Sequence, residues 1–178
     1  MIYDSSFWKR DLLKTAATMR KWDRKRSWGE PSLARLEQLV MLGFYSIRKL
    51  SEAQTLSTAT MTQPIALVCY PAIGRAVTLR NWHRVDELYD FGSPSTVSKD
   101  LVFVCHQIVH SYVFMPVVTE RDRLEAIWFC SDRFRNKCLF SLDVTRLIEL
   151  LEEVGKDYPA KAHLKFNQKT QDYDVVSS

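Results

Sequence analysis

The stretch YVFMPVVTERDRLEAIWFCSDRFRNKCLFSLD, from Tyr112 to Asp143, decides the fold. It holds three apolar runs, YVFMPVVT (112–119), LEAIWFCS (124–131) and KCLFSLD (137–143), rich in the β-branched and aromatic side chains that suit a pleated, half-buried surface. The connectors ERDR (120–123) and DRFRN (132–136) are polar and have hairpin length. A parallel return would need a crossover of roughly a dozen residues, so the three runs are expected to form an antiparallel meander.

Working outward, DVTRLIELLEEVGKDYP (143–159) reads as a helix. Asp143 caps it, Val144, Leu147, Leu151 and Val154 form its stripe, Gly155 ends it and Pro159 follows. AHLKFNQKTQDYDVV (162–176) alternates, turns and alternates again, which fits a terminal hairpin or edge strand. Upstream, PIALVCY (64–70) is a short apolar run that favours a buried strand. RAVTLRNWHRVDELYDF (75–91) is open between a strand pair and, from Asn81, a short helix with Trp82, Val85 and Tyr89 on one side. GSPST (92–96) breaks the chain and offers Ser95 or Thr96 as a cap for the next helix, with Asp100 near its positive end.

The first third is helical in pattern. Residues 6–27 carry Trp8, Leu12, Ala16 and Met19 at helical spacing, with lysines and arginines on the other faces. A second helix starts at Pro31, a residue suited to a first turn, and runs to Ala53 with Leu33, Leu36, Val40, Phe44, Ile47 and Leu50 in line. Gly43 within it suggests close packing on the first helix. STATMTQ (57–63) has no periodicity and marks a boundary. The expected fold class is therefore α+β: an N-terminal helical hairpin (1–60) packed on an antiparallel-sheet unit with two further helices (61–178).

No apolar run reaches the roughly 20 residues a spanning helix needs, and the first residues lack the basic-then-apolar order of a secretory signal. Cys69, Cys105, Cys130 and Cys138 form no CxxC pair and sit in apolar stretches, as reduced intracellular thiols do. A cytoplasmic protein with no membrane association is expected. The five glycines, at 29, 43, 74, 92 and 155, make no phosphate-binding loop.

Charge is uneven. Eleven basic against six acidic residues through residue 60 give +5, and the remainder carries −1 of the net +4. MRKWDRKRSW (19–28) interleaves Arg20, Lys21, Arg24, Lys25 and Arg26 with Trp22 and Trp28, a pattern that offers phosphate contacts and stacking surfaces. The first expectation is a non-enzymatic binding or regulatory module whose basic helix engages nucleic acid or an acidic protein. Apolar surplus on the two N-terminal helices leaves room for a homo-oligomer built through them.

The alternative centres on CHQIVHSY (105–112). His106 and His110 stand four apart and share one face of a helix. The glutamate of an HExxH protease is missing, because Gln107, Ile108 and Val109 intervene. If Ser131 pairs with Lys137, Cys130 and Cys138 lie opposite each other and complete a Cys₂His₂ set, but buried free thiols explain the cysteines more simply. No metal and no cofactor are expected. For hydrolysis of a phosphate-bearing substrate, His106 or His110 would act as base, with Asp132 and Arg133 from the hairpin tip supplying charge.

Overall fold

The computed structural model describes residues 2–22, 25, 27–169 and 171–177, with backbone alone for 162, 172 and 174–176. Five helices form among them. Helix α1 spans Ser5–Trp22, α2 Glu30–Glu52 and α3 Thr58–Thr62; α4 spans Leu101–Val109 and α5 Val144–Lys156. Helix α1 stops short of the expected Ser27, so Lys25 lies in the connection to α2, while Arg24 and Arg26 lie outside the described residues.

Pro31 falls in the first turn of α2 and Glu30 precedes it, as the missing proline donor and the helix dipole favour. The STATMTQ stretch is not irregular: Ser57 Oγ accepts from the Thr60 amide at 3.2 Å and starts the short α3. Asp143 caps α5 as expected, accepting from the Arg146 amide at 3.0 Å.

Strands β1 Ile65–Pro71, β2 Ser95–Lys99, β3 Ser111–Val118, β4 Leu124–Ser131 and β5 Cys138–Asp143 form one antiparallel sheet in the order β2-β1-β5-β4-β3. The β3–β4–β5 meander is as read from its three runs. Beyond it, β1 pairs with β5, so the sheet is larger than a local meander and its edges are β2 and β3. Pro116 lies in the edge strand β3, where its missing donor costs no central ladder bond.

Two local expectations give way to pairing. Ser95 and Thr96 do not cap a helix; they register with Cys69 and Val68 in the β1–β2 ladder. Asp100 takes the cap instead, its Oδ1 accepting from the Phe103 amide at 2.7 Å. The 75–91 stretch forms neither a strand pair nor an α-helix but a connection with one 3₁₀ turn at Val85–Glu87. Strands β6 Ala162–Asn167 and β7 Asp172–Ser177 form the terminal hairpin, a separate two-stranded sheet. Ser177 ties it down, with Oγ donating to Leu56 O at 2.7 Å.

Alternation divides the sheet into two faces. Ile65, Leu67, Ile127, Phe129, Phe140 and Leu142 enter the main core with Leu12, Leu36, Phe44, Ile47 and Leu151 from the helices. That core takes side chains from both sides of residue 60. Each fully buried Leu, Ile or Phe there contributes about 1.5–3 kcal/mol from apolar burial. The opposite face presents Val113, Trp128, Cys130, Leu139 and Tyr70, and part of it is covered by Val77, Val85, Leu88, Tyr89 and Phe91 from the β1–β2 connection.

Helix α1 packs chiefly on α5 and less on α2, so the expected two-helix hairpin is a corner of a three-helix layer. Glycine positions record this. A Cβ at Gly43 would meet Leu151 at 3.1 Å but Leu12 of α1 only at 3.9 Å. Gly155 lies inside α5 rather than ending it, and a Cβ there would stand 2.7 Å from Leu13 of α1. Lys9 locks the same corner. Its ammonium, almost wholly buried, donates to the carbonyls of Thr55 and Asp157, just past the C-terminal ends of α2 and α5, and lies 4.3 Å from the Tyr158 ring centroid.

Candidate functional site

Helix α4 is apolar because it fills the gap between α2 and the sheet: Leu101, Val104, Cys105 and Ile108 are buried. The same period leaves His106 exposed on its outer side. His110 is the C-cap rather than a helical residue, with its amide donating to His106 O. The rings remain neighbours, centroids 5.7 Å apart and planes at 32°.

Buried Gln107 fixes the sheet against this end of α4, its Oε1 accepting from the Ser131 amide at 3.1 Å. The Asp132 amide points at His110 O at 3.4 Å. The turn after β4 is thereby drawn to the histidine face, and His106, His110, Asp132 and Arg133 line one cleft of about 520 Å³ with Phe103, Gln107 and Ser131. The four residues named for hydrolytic chemistry thus converge in space.

The electrostatics of the cleft are mixed. Arg48 of α2 donates from Nη1 to His110 Nε2 at 2.8 Å and from Nε to Glu52 at 2.8 Å. A guanidinium has no acceptor atom, so Nε2 of His110 is the acceptor and its proton sits on Nδ1. Asp132 pairs with Arg135 at 3.3 Å, and that guanidinium stacks 4.0 Å from the Tyr112 ring centroid. Arg133 is exposed and has no ion-pair partner among the described residues. Glu52 is shared by Arg48 and Lys49, and Asp132 pairs with Arg135, so Arg133 adds to a positive balance around the cleft.

A Cys₂His₂ arrangement does not form. Phe129 pairs with Phe140, a register that places Ser131, not Cys130, opposite Cys138. One residue of slip sends the cysteines to opposite faces: Cys130 lies in the cluster under the β1–β2 connection and Cys138 in the main core. Burial pushes both thiols up, Cys130 to about 11 and Cys138 to about 12. Among the described residues no group of three or more His, Cys, Asp or Glu is placed to hold a metal.

At the basic end of α1, Arg20 is engaged internally. It grips Glu152 of α5 through Nε at 2.6 Å and Nη2 at 3.0 Å, and this partner holds the Glu152 carboxyl below its ordinary range. Trp22 and Trp28 pack edge to face, centroids 5.7 Å apart, against the main core. Trp28 Nε1 donates to Asp122 O at 2.9 Å, and Lys25 sits 5.7 Å from its ring centroid. Lys21 is exposed. Arg24 and Arg26 lie outside the described residues.

Gln107 and Phe103 also line the cleft and Arg48 backs His110, and none of the three was singled out in the sequence. Gln107 left a trace, a lone amide inside the apolar run LVFVCHQIV. Arg48 left none, because its partner lies 62 residues away. Among the described residues no helix is long and apolar enough to cross a membrane. No family model, no curated protein and no solved structure matches the chain.

Proposed function

We propose that the protein is a non-enzymatic binding or regulatory module for a small phosphate-bearing ligand, and that the His-pair cleft is its recognition site. The convergence of His106, His110 and Arg133 on one open cleft, with Arg48 behind His110, carries this reading. Imidazole and guanidinium N–H groups match an acceptor-rich anion. Half-buried Phe103 adds an apolar wall for a base or ring. A cleft of about 520 Å³ suits a mononucleotide-sized ligand better than a polymer. The end of α1 supports a nucleic-acid or acidic-protein partner less well, since Arg20 is spent on Glu152 and both tryptophans pack inward.

Calorimetric titration with adenosine 5′-monophosphate tests the assignment. Binding should weaken about tenfold in His106→Ala and in Arg133→Ala and stay unchanged in Lys21→Ala/Lys25→Ala. If a single-stranded oligonucleotide binds instead, falls off steeply with salt and is lost in the double lysine variant, recognition belongs to the end of α1.

A second reading, hydrolysis of a phosphate ester, is favoured by His106, which is exposed at the cleft and has no side-chain hydrogen bond among the described residues. Turnover of p-nitrophenyl phosphate that disappears in His106→Ala and survives in Lys21→Ala/Lys25→Ala would select it.

A further inference from the structure

The sheet face turned away from the helices is covered only in part. On the bare part lies a groove of about 460 Å³, floored by the small side chains of Ala66, Val68, Ala126 and Ser141 and walled by Trp128. Trp128 is held by two neighbouring rings: its centroid lies 4.8 Å from that of Phe91 and 6.1 Å from that of Tyr70, which also lines the groove. Glu125 and Asp143 line the groove as well; both are exposed, and neither has a cationic side-chain partner among the described residues. No basic side chain lines it; on their other side Glu125 and Asp143 border a second cavity that Arg121 and Arg123 line.

Ser141 adds an independent sign. It is only 9% exposed, pairs with Trp128 across the β4–β5 ladder and shares that side chain's face, and lines the groove. Its hydroxyl has no hydrogen-bond partner among the described residues, yet it is not sealed from solvent. The residue is nearly buried while its hydroxyl keeps an opening to the groove, so it can hydrogen-bond a ligand lying there.

We propose that this groove binds a small organic cation, an amine carrying an aromatic or aliphatic body. The body lies over the small-residue floor and against the Trp128 ring, displacing water from apolar surface. The ammonium points toward Asp143 and Glu125, and the Ser141 hydroxyl accepts one of its N–H bonds. The paired carboxylates exclude an anion of the same shape, so the site is distinct in charge as well as in place from the His-pair cleft.

Phenethylammonium and phenylacetate, equal in ring and opposite in charge, are the probes. Phenethylammonium should bind, shift the Trp128 indole resonance and lose about tenfold in affinity in Glu125→Gln/Asp143→Asn. Asn keeps the cap of α5, so that variant folds. Ser141→Ala should weaken binding severalfold and His106→Ala should leave it unchanged. Phenylacetate binding as tightly as the amine, an undiminished affinity in Glu125→Gln/Asp143→Asn, or no response at Trp128 would each overturn the assignment.

Discussion

The guanidinium of Arg48, on α2, donates to Nε2 of His110, at the end of α4, across 2.8 Å. This bond joins the N-terminal helices to the candidate cleft, and because a guanidinium only donates it favours the His110 tautomer with its proton on Nδ1. Nitrogen-15 NMR of the imidazole should show protonated Nδ1 and bare Nε2. Arg48→Met should remove that constraint, and an unchanged His110 spectrum in the variant would show that the contact does not set the tautomer.

Lys9 should be the costliest charged residue to remove. Lys9→Ala leaves the Thr55 and Asp157 carbonyls without their donor and opens a void, at an expected cost of about 3–5 kcal/mol in urea unfolding. Burial lowers the Lys9 pKa from 10.5 in the folded protein. The folded state therefore sheds its proton before the unfolded state does. Stability contributed by this group rises with pH between the lowered value and 10.5, and Lys9→Met should abolish that slope.

Two glycines should respond differently to alanine. At Gly155 a Cβ would lie 2.7 Å from Leu13 and 3.1 Å from the Lys9 carbonyl, so Gly155→Ala must push α1 off α5, costing about 1–3 kcal/mol despite better helix propensity. At Gly43 the nearest atom is the tip of Leu151 at 3.1 Å, a side chain that can yield. Gly43→Ala should stay within about 1 kcal/mol of the parent protein by thermal unfolding, since propensity offsets the crowding.

Thiol reactivity should single out one cysteine. Burial raises the pKa values of Cys105, Cys130 and Cys138, and only Cys69 is partly exposed. Titration of the native protein with an aromatic disulfide near neutral pH should release about one equivalent of thiol quickly, and Cys69→Ser should remove it. Three or four fast equivalents would mean that the core opens on the labelling timescale.

The Arg20–Glu152 pair bears on acid stability. Glu152 titrates low because Arg20 hydrogen-bonds its charged form, so the stability this pair contributes is present above the ordinary carboxyl value of 4.5 and lost as pH falls through the lowered one. Arg20 is about half exposed in its side chain, which limits the contribution to about 1 kcal/mol or less. Glu152→Gln should flatten the acid limb of the unfolding curve by that amount and free Arg20 for an external anion.

Elements whose causes lie within a few residues were legible in the chain. The hairpins of the β3–β4–β5 meander follow from short polar connectors, α2 from Pro31 and its apolar stripe, and α5 from the Asp143 cap. Asp132 and Arg133 could likewise be placed at a hairpin tip, though not over the histidines. What needed the third dimension involves partners far apart in sequence. Ser95 and Thr96 became a strand because β1 offered them a ladder, and Gly155 became a packing site because α1 crosses there. The Cys130 and Cys138 faces turned on a single residue of register, a quantity with period two that composition does not encode. The cleft itself depends on Gln107 reaching Ser131 and Arg48 reaching His110, contacts that form only once helix packing has brought distant segments within hydrogen-bond range.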